Sequence, residues 1–162
     1  MKDIFLKIVK NIQKSGESEI IRHNFSNQII SNLDLQCLAF VSVRFLECEF
    51  QNVDFTGTSF LDCFFENCTF KDVTVRKSQF WDCTIENTQI YNSNWTRAEF
   101  YVSNFTNCKF LDINLRASDF SECKFKETNF FKSNLDLILV DDVKVWKSED
   151  WVEIKDFSNF DV

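Results

Sequence analysis

From Ile20 to Val140 every fifth residue is apolar, and most of these are phenylalanine. A period of five matches neither the 3.6-residue helix nor the two-residue alternation of a strand. It marks an internal repeat, which governs the reading of everything else. A second register lies two residues before each of these positions. Cys48, Val53, Thr58, Cys63, Cys68, Val73, Ser78 and Cys83 are typical of it: small or moderate in size. Residues two apart on an extended segment share a face. Both registers therefore point inward, and the three mostly polar slots point out. Each pentapeptide reads as one short straight side followed by a corner.

Several segments carry a recognisable form of this pattern: Ser93-Asn94-Trp95-Thr96-Arg97, Ser103-Asn104-Phe105-Thr106-Asn107, Ser118-Asp119-Phe120-Ser121-Glu122 and Ser133-Asn134-Leu135-Asp136-Leu137. They resemble the A(D/N)LXX pattern of the pentapeptide-repeat family, over roughly residues 18–140. The resemblance implies an all-β fold, a right-handed quadrilateral parallel β-helix with four pentapeptides per coil. The sequence supports a twenty-residue coil independently. Phe40, Phe60, Phe80, Phe100 and Phe120 form one column at that spacing. Phe25, Phe45, Phe65, Ile85, Phe105 and Phe125 form a second, and Ile30, Phe50, Phe70, Ile90, Phe110 and Phe130 a third. The fourth, Leu35, Phe55, Val75, Trp95, Leu115 and Leu135, is mixed. About six coils result, a rod of about 29 Å at one strand spacing per coil.

Composition adds three constraints. With two glycines and no proline, the corners must be of one repeated kind that tolerates ordinary polar residues. Six of the seven cysteines occupy the small inward slot, which exchanges Cys for Ser, Thr, Ala and Val. That slot selects volume, so these are reduced packing residues rather than disulfides or metal ligands; Cys37 is the outward exception. The formal net charge of −7 argues against direct nucleic-acid binding, which favours a basic surface. No segment has the length of a membrane span or a signal-peptide core, so a cytoplasmic protein is expected.

Both ends of a solenoid need covering. Residues 1–17 are expected to form an N-terminal capping helix, with Ile4, Phe5, Ile8, Val9 and Ile12 as its apolar stripe and Gly16 as its stop. His23, the one histidine, has no evident base or nucleophile beside it and reads as an end-of-core residue. Residues 18–140 are the solenoid and 141–162 a C-terminal cap. Ser148-Glu149-Asp150 is read as the start of a short helix. Trp146, Trp151 and Val152 are the candidates for a two-fold dimer contact; the resemblance makes this relevant, because topoisomerase-binding family members dimerise through their C-terminal ends.

The coil period also sorts the outward slots. Asp62, Asp82, Glu99, Asp119 and Glu122 fall on one face, beside an apolar ridge of Val41, Leu61, Trp81 and Tyr101. Tyr91, Leu111 and Phe131 fall on another. Arg76, Lys77, Arg97 and Arg116 mark the face of the mixed column as locally basic. Exposed apolar columns signal contact with a partner, so Asp62, Asp82, Glu99, Asp119, Glu122, Trp81 and Tyr101 are the partner-binding candidates. No phosphate loop, catalytic triad or metal-ligand spacing is present. The expectation is a non-enzymatic protein without cofactor or metal. The resemblance implies a DNA mimic that occupies the DNA-binding saddle of DNA gyrase or topoisomerase IV and protects it from quinolones or toxins. The alternative is a general protein-interaction scaffold that uses the acidic-aromatic face.

Overall fold

The computed structural model describes residues 4–158 and 160. Helix α1 (Ile4–Ser15) is followed by a parallel β-solenoid. Three of its four faces are sheets of three-residue strands. The first face runs from Glu19–Ile21 to Leu139–Asp141 in seven strands, and the third from Ile29–Ser31 to Asn129–Phe131 in six. The second begins at Asn24–Ser26 and continues through Val143–Lys147 to an eighth strand, Asp150–Ile154. Every parallel pairing joins a residue to the one twenty positions on, as in Phe40↔Phe60, Phe45↔Phe65 and Phe50↔Phe70.

The fourth face differs in kind. It is held by isolated bridges along Asp34, Asp54, Thr74, Asn94, Asn114 and Asn134, and the chain turns sharply beside them. The Ala98 N–H donates to the Trp95 carbonyl at 3.1 Å and Ser118 to Leu115 at 3.0 Å. The Oδ1 atoms of Asp54, Asn94, Asn114 and Asn134 each accept the backbone N–H two residues on, the Asx turn these side chains favour. The mixed apolar column lies behind this turn face.

The corners explain how a chain with so little glycine turns so often. Every fifth residue from Arg22 to Asp142 has a positive φ, between 45° and 69°, and only Gly57 among them is a glycine. Asn and Asp tolerate this left-handed region better than other non-glycine residues, and they supply many of the corners. Inside, the phenylalanines form ladders. Phe60 and Phe80 stack at 4.7 Å, Phe100 and Phe120 at 4.6 Å, Phe110 and Phe130 at 4.5 Å. Where Trp95 enters the fourth column, the same coil carries Ile85 and Ile90 instead of phenylalanine, so the larger indole is offset by smaller neighbours. Its Nε1 is buried without a partner.

The small slot does more than limit volume. Cys63 Sγ donates to the Phe40 carbonyl at 3.3 Å, Thr58 Oγ1 to Leu35 at 2.7 Å and Ser78 Oγ to Phe55 at 2.6 Å. Cys, Ser and Thr can each supply that donor hydrogen, the thiol more weakly and over a longer distance, while Val43, Val53, Val73, Ala98 and Ile113 fill the slot without one. All seven cysteines are free, and only Cys37 is exposed. Burial pushes the Cys108 and Cys123 thiols from the ordinary 9.0 up to about 12. Two outcomes are expected. A thiol reagent at pH 8 should titrate one cysteine in the native protein and seven after denaturation. Between pH 9 and about 12 the unfolded chain loses these two protons while the folded chain keeps them. Their stabilising contribution, complete below pH 9, should therefore fall as pH rises through that window, which denaturant titrations at stepped alkaline pH would detect.

Helix α1 buries Phe5, Val9 and Ile12 over the first coil, with Ile8 half-buried and Ile4 exposed. Gly16 ends the helix at φ +79°. His23 stacks on Phe25 at 5.8 Å, and its Nδ1 lies 2.8 Å from the Ile21 carbonyl, a structural placement at the end of the core. At the other end the expected short helix is not formed. Val143–Lys147 and Asp150–Ile154 make an antiparallel hairpin, turned at Ser148 and Glu149, both with positive φ. A two-residue turn of this hand matches strand twist, and Val143 and Val145 extend the inward register of the second face. Those two effects outweigh the acidic helix-start signal. Phe157 then covers Phe120, Phe125 and Phe130 at 5.2–5.7 Å.

Candidate functional site

The first face gathers all seven partner-binding candidates. Its central column runs Ile21, Val41, Leu61, Trp81, Tyr101 in strict register. Leu61, Trp81 and Tyr101 are 47%, 44% and 37% exposed, large values for such side chains in a regular sheet. The Trp81 and Tyr101 rings lie 4.8 Å apart. Sequence inspection had missed Ile21, which extends the ridge by one coil and is exposed; the register Ile21↔Val41 was its signal.

Carboxylates flank the ridge on both sides. Glu99 and Asp119 are neighbours on the strand position before it; Asp62, Asp82 and Glu122 occupy the corner after it. Ser42 Oγ donates to Asp62 at 2.8 Å, Gln79 Nε2 to Glu99 at 2.9 Å, and Ser121 Oγ to Asp119 at 2.9 Å. The Tyr101 hydroxyl donates to Glu122 at 2.8 Å, and that carboxylate holds the phenol above its usual range. Among the described residues none of these five acids is in an ion pair.

Charge is segregated by face. The outward positions of the first face carry Glu19, Asp62, Asp82, Glu99, Asp119, Glu122, Asp141 and Asp142 against a single cation, Arg22. Eight acids less one base is −7, whereas the other described residues hold fifteen acids and sixteen bases. On the turn face, coils from Thr74 to Ala117 hold Arg76, Lys77, Arg97 and Arg116 and no acid. Among the described residues no group of His, Cys, Asp or Glu is placed to hold a metal ion, and no helix is long and apolar enough to cross a membrane.

The expected dimer-contact residues sit on the terminal hairpin. Trp146 and Trp151 are cross-strand partners whose rings meet edge-on at 5.2 Å. Lys126 lies over Trp146 at 5.2 Å and Lys124 over Trp151 at 5.7 Å. Val152 is exposed, and its strand is the last of the second sheet, with its outer edge unpaired among the described residues.

Two family models match the chain. That of the SV2A/B/C luminal domain matches residues 23–105, and that of pentapeptide repeats (8 copies) matches residues 98–136. Both fall on the same five-residue beat. The chain belongs to the pentapeptide-repeat proteins. Solved pentapeptide-repeat structures resemble it at low identity. HetL of Nostoc sp. strain PCC 7120, a pentapeptide repeat protein involved in heterocyst differentiation regulation, is 10% identical, with a TM-score of 0.48 over 83% of this chain and 70% of that one. QnrB1, a plasmid-mediated fluoroquinolone resistance protein, is 15% identical, with a TM-score of 0.39 over 77% and 71%. Rfr23 of Cyanothece 51142 is 10% identical, with a TM-score of 0.36 over 88% and 99%. No curated protein matches the chain.

Proposed function

We propose that this pentapeptide-repeat protein acts by occupancy, presenting its first face to a basic protein surface. The observation that carries the reading is the gathering of eight acids against one base on the face that also bears the Leu61–Trp81–Tyr101 ridge. Such a face steers a cationic partner electrostatically, while exposed aromatic side chains supply the desolvated anchor. A regular anionic rod fits the DNA-binding saddle of a type II topoisomerase. DNA gyrase or topoisomerase IV is therefore the partner we assign, with the protein standing in for DNA and modulating quinolone or toxin action. Two copies joined end to end through the hairpin of Trp146, Trp151 and Val152 would lengthen that rod. The test is a gyrase supercoiling and cleavage assay, with and without a quinolone. The wild type should inhibit supercoiling or reduce drug-stabilised cleavage. The triple variant Asp62→Asn, Asp82→Asn, Glu122→Gln should lose at least tenfold in potency. No effect of the wild type at a several-fold molar excess would sink the topoisomerase assignment.

The apolar ridge favours a second reading, a scaffold for another basic protein. There Trp81→Ala with Tyr101→Ala should release partners that the charge variant still retains in part.

A further inference from the structure

The turn face has chemistry that neither the fold nor the reading above uses. Arg76, Lys77, Arg97 and Arg116 are all exposed, and none is in an ion pair among the described residues. Lys77 and Arg97 occupy the same corner on successive coils, about 4.8 Å apart along the rod. Like charges placed side by side on adjacent strands destabilise. Both also take the left-handed conformation, at φ 56° and 58°, in a column where the coil before them uses Gly57. The chain therefore sets two cations side by side with no acid on the turn face of these coils; the nearest in sequence are Asp72 and Asp112 at the corner leading into it and Glu99 and Asp119 at the start of the next face. The remaining outward residues of this patch are Thr74, Asn94, Thr96, Asn114 and Ala117. It contains no exposed aromatic or large apolar side chain.

We propose that this patch binds the phosphodiester backbone of duplex nucleic acid. Its make-up separates this occupant from others. Arginine forks match phosphate oxygens, and Thr and Asn belong to the usual set of backbone-contacting side chains. A lipid surface would be held by apolar and aromatic anchors, and single strands by stacking aromatics; the patch has neither. The acidic face of a second copy presents an apolar ridge that this patch cannot cover. Net acidity spoke against nucleic acid, yet that charge belongs to the first face. The contact is sequence-independent and salt-sensitive, because phosphate neutralisation releases counterions. This site is separate from the topoisomerase assignment and does not depend on it.

The test is fluorescence anisotropy of a labelled 20-base-pair duplex titrated with the full chain between 50 and 200 mM salt. Weak binding is expected, with a Kd of about 10⁻⁴ M or weaker at physiological salt. The log–log salt slope should be about −3 to −4, for up to four phosphates at roughly 0.9 each. Arg76→Gln with Arg116→Gln should flatten the slope by about 2 units, while Arg76→Lys with Arg116→Lys should keep it. Both pairs are exposed, and an unchanged circular-dichroism melt checks their fold. Neutralising Asp62 and Asp82 should leave binding intact or tighten it, which separates this site from the first face. Absence of binding at 50 mM salt overturns the proposal, as does a slope indifferent to the glutamine pair. Light scattering that shows oligomers abolished by the glutamine pair would overturn it in favour of a second copy as the occupant.

Discussion

Phe100→Ala is expected to lower the unfolding free energy by about 3–5 kcal/mol. Phe100 is 1% exposed and sits in the middle of its ladder. It stacks on Phe80 at 4.9 Å and on Phe120 at 4.6 Å, and it touches Trp95 at 5.9 Å and Phe105 at 5.5 Å. The backbone around it is tied to both neighbouring coils in register, so it cannot collapse into the space left by the ring. The cost therefore combines lost transfer energy with an unfilled cavity. In a solenoid each coil is stabilised chiefly by its neighbours, and a cavity in the centre weakens two interfaces together. At about 2–4 °C per kcal/mol for a chain of this size, the melting temperature should fall by about 6–20 °C. Thermal and denaturant melts followed by circular dichroism give the measurement. A shift under 2 °C would mean that the ladder does not carry the stability assigned to it.

Phe5→Asp is expected to undock helix α1. Phe5 is 2% exposed and meets Phe25 edge-on at 4.9 Å, with Phe40 at 6.4 Å and Phe45 at 6.2 Å. A carboxylate has no partner in that setting, and burying it costs more than the helix gains from Val9 and Ile12. The helix can leave as a unit, so the loss is bounded by its docking energy, and the coils beyond stay folded. Helical ellipticity should drop while β signal remains. The uncovered end of the core should then bind a hydrophobic dye and associate. A Phe5→Leu control, which preserves apolar volume, should behave almost as wild type. If Phe5→Asp keeps its helix signal and binds no dye, the plug role is wrong.

The two ends show how far pattern reading reaches. The α1 stripe was legible because a 3.6-residue period stands out against a five-residue one, and Phe5, Val9 and Ile12 are buried as that period requires. The C-terminal segment misled because Ser148-Glu149-Asp150 satisfies a helix-start rule locally. Val143 and Val145 continue an inward register whose partner strand lies twenty residues back, and that non-local pairing decided in favour of a hairpin. The cysteine slot was half legible. Its volume could be read from the exchange among Cys, Ser, Thr and Val. Its hydrogen bond to a carbonyl one coil away could not, because the acceptor is twenty-three residues distant in sequence.

The candidate face followed the same division. Once the coil length was known, Asp62, Asp82, Glu99, Asp119, Glu122, Trp81 and Tyr101 could be assigned to one side from their numbers alone. By itself the sequence determined the repeat, the coil and the inward residues, because a strict period leaves each side chain a single direction to point. Only the tertiary structure decided that the fourth side is a stack of tight turns rather than a sheet. It also decided that the corners are left-handed with a single glycine, Gly57, among them, and that the Tyr101 hydroxyl reaches the Glu122 carboxylate one coil on. Each of those depends on groups twenty residues apart lying about one strand spacing from each other, a proximity created when the coils stack.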